Sequence, residues 1–252
     1  YEHLNPDGII CYSRFMQRSP KAARETLRLA NIACEGLRAA GVVEPEKHIC
    51  VMRGGIDWAS TMIKQSPFTA EEIAALREFG RKEGFVGLMY DPLLPRDAEI
   101  VPEPSHYATF LPKIKQGLKR AAPAFADYHE AVMAWFAAAS EVAKGKAVGP
   151  ELLPEGLRGK PVAKVMLNGL TAQKSKILTQ TKYVKRTIDD FRTLLHSEGA
   201  EREQFYENYL FDVSPSTDDA PFFFNYYKWS GLFSGSKDRK KDASAFNYHT
   251  DF

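Results

Sequence analysis

The chain predicts an α/β protein, and three observations lead there. Residues 8–15 (GIICYSRF) form a short, largely apolar run with the length and flanks of a buried strand. Behind it Ala23, Leu27, Ala30, Cys34 and Leu37 recur at helical spacing. Residues 48–53 (HICVMR) and 56–64 (IDWASTMIK) then read as two strands turned at Gly54-Gly55.

Each element has its own local signal. Asn5-Pro6-Asp7-Gly8 is a turn tetrapeptide ahead of the first strand. Ser19 as N-cap with Pro20 at the first helical position opens a helix over 20–40, and Gly41 stops it. Thr69 with Glu72 three residues on is a capping box that starts a helix running to residue 83, before Gly84. Residues 85–90 (FVGLMY) read as another strand. Pro92, Pro95, Pro102 and Pro104 then mark a loop with acidic residues.

The middle is mostly helical. Helices are predicted over 107–121 and 124–143, split by Pro123, and the second turns Phe125, Tyr128, Val132, Trp135, Phe136 and Val142 to one face. Residues 144–161 are Gly/Pro-rich and read as loop; helices follow at 182–195 and 201–209. The division expected is a sheet domain over 1–90, a helical insertion over 91–204, a closing segment over 205–229 and a mobile basic tail over 230–252.

Composition excludes several classes. The net charge of +2 points to no partner, but from Glu155 to Asp189 there is no acidic residue, while Arg158, Lys160, Lys164, Lys174, Lys176, Lys182, Lys185 and Arg186 are basic. Such a run is a solvated face or a rest for an anionic lipid surface. Nucleic acid is disfavoured, since only Tyr183 is placed there to stack on bases. Three widely spaced cysteines, Cys11, Cys34 and Cys50, form neither a disulfide framework nor a zinc motif and suit a reducing compartment. No run reaches the length of a membrane span, and no signal peptide is visible. P-loop, G-x-G-x-x-G, H-E-x-x-H and G-x-S-x-G motifs are absent, and the six histidines lack ligand spacing, so no metal is expected.

The densest signal is 212–229, DVSPSTDDAPFFFNYYKW. Phe222, Phe223, Phe224, Tyr226 and Tyr227 need burial, and they carry Asp218 and Asp219 inward with them. Those carboxylates either hold an amine-bearing ligand or cap backbone N–H groups at a turn. Ser13 and Arg14 fall at the carboxyl end of the first strand, where open α/β sheets place their ligands; Arg14 either faces a ligand or one of these carboxylates, or is a surface residue.

Two stretches, YEHLNPDGIICYSRF with the strand–helix–hairpin behind it, and FYENYLFDVSPSTDDAPFFFNYYKW, resemble the spermidine-synthase-like (polyamine aminopropyltransferase-related) proteins linked to membrane segments. The resemblance covers roughly residues 1–90 and 200–230. It implies the carboxy-terminal half of a class I methyltransferase-like, Rossmann-type sheet. It implies decarboxylated S-adenosylmethionine, or S-adenosylmethionine, as co-substrate, a small-molecule amine as acceptor, and no metal. Asp218 and Asp219 would hold the amine. The family's Gly-rich loop, ribose-holding acid and acidic catalytic segment do not occur here; they belong to the upstream half of the domain. The chain opens directly in YEHLNPDGII and stops in FNYHTDF, which reads as an internal piece of a longer protein, inactive alone. In the full-length protein the basic runs 158–186 and 237–241 would face the cytoplasmic leaflet. The alternatives are a methyltransferase portion and a non-catalytic cytoplasmic interaction domain.

Overall fold

The computed structural model describes residues 4, 5, 7–16, 23–54, 58–83, 85, 87–217, 226 and 228. Asp218, Asp219, Gly55, Gly84, most of the aromatic run and the tail from residue 230 lie outside them. The fold is mixed α/β. A four-stranded sheet runs in the order β1-β3-β2-β4, from β1 (Ile9–Phe15), β2 (Ile49–Gly54), β3 (Trp58–Lys64) and β4 (Gly87–Tyr90). Every neighbouring pair is antiparallel. Because β3 sits between β1 and β2, those two strands run parallel without touching. Helix α1 (Glu25–Ala39) makes the crossover between them.

Strand β2 is covered on both faces. Strand alternation turns Ile49 and Val51 of β2 towards α1, while Cys50 and Met52 face α2 (Ala70–Glu83). The capping box at the start of α2 forms as its spacing predicts. Thr69 N donates to Glu72 Oε2 at 2.9 Å, and Glu72 N donates to Thr69 Oγ1 at 3.2 Å. Lys64, buried at the end of β3, donates its ammonium to the same Glu72. That contact holds the Glu72 carboxyl below its usual range.

Strand β1 departs from expectation. It is an edge strand among the described residues, and all of it except Ile10 is exposed. Ile9, Tyr12 and Phe15 are exposed apolar side chains, and Phe15 packs at a tilt against exposed Trp58 with ring centroids 4.2 Å apart. An apolar run states that a strand favours cover, and it does not state where the cover comes from.

The helical part departs too. Residues 161–196 are one helix, α5 (Pro161–His196), of 36 residues, where sequence predicted loop up to 161 and a helix only over 182–195. The basic residues mask a continuous apolar stripe of Val162, Met166, Leu170, Ile177, Val184, Ile188, Phe191 and Leu195. The cations of the run are all exposed on its other side or in the turn before it. The first half of α5 packs with α3 (Leu111–Ala121) and α4 (Phe125–Ala143); its second half enters the core beneath the sheet with α1. Residues 104–110 form a 3-10 turn ahead of α3, where a helix was expected from 107. No helix among the described residues is long and apolar enough to cross a membrane.

After α6 (Gly199–Asn208) the chain returns to α1. Tyr209, Phe211, Val213 and Tyr226 are buried in the core of α1, α5 and the sheet. Lys228 Nζ donates to the carbonyls of Tyr206, Glu207 (2.9 Å) and Tyr209 (2.7 Å), closing the carboxyl end of α6.

Candidate functional site

Of the residues expected at a site, Ser13 and Arg14 are described and exposed. As consecutive strand residues they project to opposite faces of the sheet. Ser13 Oγ lies 2.9 Å from Ser60 Oγ, its partner across β3. Arg14 Nη1 donates to the Ser13 carbonyl at 3.2 Å, on the face where Ile10 meets the α1 core. The strand therefore cannot present both to one ligand from one side.

The carboxyl end of β1 is organised by other residues. Thr26 Oγ1, in the first turn of α1, donates to the Phe15 carbonyl at 3.1 Å and ties helix to strand. Two residues on, Arg28 pairs with Asp212 Oδ2 at 3.1 Å and donates to the Asp212 carbonyl at 2.6 Å. Asn31 Nδ2 donates to the Val213 carbonyl (2.9 Å) and to Tyr206 Oη (2.8 Å). The guanidiniums of Arg24 and Arg28 lie over the Tyr226 ring, at 5.5 and 4.7 Å from its centroid. This α1 face, whose side chains sequence reading treated as a plain apolar stripe, grips the segment that begins DVSP. Arg24 just before α1 and Arg28 among its apolar positions are the signal that marks it.

Tyr209 completes this end. Its hydroxyl donates to the Ala23 carbonyl at 2.7 Å and lies 3.1 Å from Asp190 Oδ2 on α5. One phenolic proton cannot serve both acceptors fully, so a protonated Asp190 suits the arrangement. Burial pushes this carboxyl from 3.8 up to about 6, against the lowering pull of Arg186 and Tyr209. Between those values the folded chain holds a proton the unfolded chain has released. Stability from this group therefore falls as pH rises from 3.8 to about 6 and stays lowered above it. Asp190→Asn should remove that slope in denaturant melts and raise stability at pH 7.5 by about 1–2 kcal/mol. An unchanged pH profile would show that the carboxyl does not titrate there.

A second arrangement lies at the opposite edge of the sheet. A cavity of about 700 Å³ runs along β4, between α2, the 91–104 loop, α4 and α5. Gly87 opens β4 with φ +110°, and a Cβ there would stand 2.8 Å from Ser105 Oγ, so only glycine fits. His106 is buried behind it. Its Nδ1 accepts the Glu103 backbone N–H at 2.7 Å, so the ring proton sits on Nε2 and is donated to the Leu88 carbonyl at 3.2 Å. Burial holds this imidazole below its ordinary pKa, in the neutral form that the two bonds require. Arg77 of α2 bridges the acids of the wall, reaching Asp91 Oδ2 at 2.7 Å and Glu103 Oε1 at 3.0 Å.

Neither Ser13 nor Arg14 lines this cavity, and Asp218 and Asp219 lie outside the described residues. From sequence, His106 is one of six scattered histidines, Asp91 and Glu103 belong to the acidic Pro-rich loop, and Arg77 lies on the helix opened by Thr69 with no role assigned. The acidic Pro-rich loop after β4 was the one available hint. Among the described residues no cluster of His, Cys, Asp and Glu is built to hold a metal ion. No family model, no curated protein and no solved structure matches the chain.

Proposed function

We propose that the chain forms the carboxy-terminal edge of a Rossmann-type transferase sheet, acting in aminopropyl transfer from decarboxylated S-adenosylmethionine to a small amine. The observation that carries this reading is the unit β1–α1–β2–β3. A helix joins two parallel strands, and an antiparallel strand returns between them. Among the described residues no strand pairs with the outer edge of β1, and this supports the reading, since a sheet continued on that side would flank the exposed Ile9, Tyr12 and Phe15. The upstream half of the domain would supply that cover and the nucleoside site. The cations of α5 and residues 237–241 would then meet an anionic membrane surface.

In this reaction a neutral amine nitrogen attacks the methylene carbon beside the sulfonium. The N–C bond forms as the C–S bond breaks, methylthioadenosine leaves, and a base takes the proton from nitrogen. Asp218 and Asp219 are the residues proposed to hold the acceptor's remaining ammonium groups. The test is product analysis with the full-length protein, offered both nucleosides and a polyamine. Methylthioadenosine is expected, and Asp218→Asn should raise the polyamine KM about tenfold or more. S-adenosylhomocysteine as the product would assign a methyltransferase instead. Absence of either nucleoside product would leave a non-catalytic interaction domain. An unchanged polyamine KM in the variant would remove Asp218 from the site.

A further inference from the structure

The β4 cavity holds a charge that no acid among the described residues balances. Arg192, on α5, lines it and is buried, with 3% of its surface exposed. Its Nη1 donates to the Ala98 carbonyl at 2.6 Å, and its enclosed Nε has no hydrogen-bond partner. It enters no ion pair among the described residues. The acids around the same cavity are otherwise engaged or wet. Asp91 and Glu103 are taken by Arg77, Glu78 by Arg81, and Glu99 is exposed to solvent.

A buried cation without a counter-ion is costly, and a ligand anion relieves that cost. The remaining walls restrict the rest of the ligand. Met89, Ile100, Met133, Phe136 and Ile188 are apolar, and the volume of about 700 Å³ is within the range of small-molecule sites. An amine is disfavoured, because the enclosed acids already have their guanidinium partner.

We infer that this cavity binds a carboxylate with an apolar body, such as a medium-chain fatty acid, with its head group on Arg192 and its chain against Phe136 and Met133. The site lies at the far edge of the sheet from β1 and needs no nucleoside, so it stands or falls separately from the transferase reading.

The probes are decanoate, decanol and decyltrimethylammonium, each titrated calorimetrically into the 252-residue chain below its micelle concentration. Decanoate should bind about tenfold or more tightly than decanol, and the cationic probe should not bind measurably. In Arg192→Met the preference for decanoate over decanol should fall to near unity, with decanol binding kept. If that variant does not fold, Phe136→Trp, which fills the apolar end and leaves Arg192 in place, must abolish decanoate binding. The inference is overturned if wild-type protein binds decanoate no better than decanol. It is equally overturned if the preference survives in Arg192→Met, or if decanoate still binds Phe136→Trp.

Discussion

Trp135→Ala is expected to lower stability by about 3–5 kcal/mol, read as a shift of the urea midpoint at constant slope. Trp135 is fully buried in the middle of α4. It meets Phe136 and Phe110 edge-to-face, with centroids 5.9 and 6.5 Å away. Its environment cannot collapse easily into the space left behind. Gly169 of α5 already approaches closely enough that a Cβ there would stand 3.5 Å from the indole nitrogen and 2.7 Å from Ile114. The helices are thus in contact through backbone on that side. Trp135→Phe, which keeps most of the volume, should cost clearly less. Equal losses for the two variants would mean that the indole's packing is not what holds α4 to α5.

Arg77→Met is expected to cost about 3 kcal/mol, the scale for stranding a buried charge. The Asp91 side chain is 5% exposed and Arg77 is its ion-pair partner, while Glu103, the other acid held, is more open at 29%. Arg77 itself is 38% exposed, so the loss comes mainly from the carboxylate left behind, with solvent screening reducing the rest. The double variant Arg77→Met/Asp91→Asn should recover most of the stability, because a neutral amide tolerates the site that a lone carboxylate does not. Chemical denaturation of the single and double variants measures this directly. If Asp91→Asn rescues nothing, the guanidinium stabilises β4 and α2 by packing and not by charge. The same network bounds the cavity, so the single variant also tests how far α2 and the 91–104 loop depend on it for position.

Local patterns in this chain were enough for local structure. The spacing of Leu27, Ala30, Cys34 and Leu37 made the body of α1 legible, though it begins at Glu25 and not at 20, and Thr69 with Glu72 made the start of α2 legible, because each is decided within a turn or two of chain. The paired strands behind α1 were legible for the same reason. The length of α5 was hidden by its own surface, since composition follows charge while burial follows the stripe beneath it. Sequence could say that β1 is apolar and could not say that most of its residues end up exposed. Nor could it pair Arg28 with Asp212, or set Gly87, His106 and Arg192 around one cavity. Those residues stand far apart along the chain, and what joins them is the sheet order and the reach of one long helix. Which charges end up paired, and which cation is left without an acid, is decided only when those elements pack. Desolvation makes that pairing costly to get wrong, and it does not exist in the extended chain.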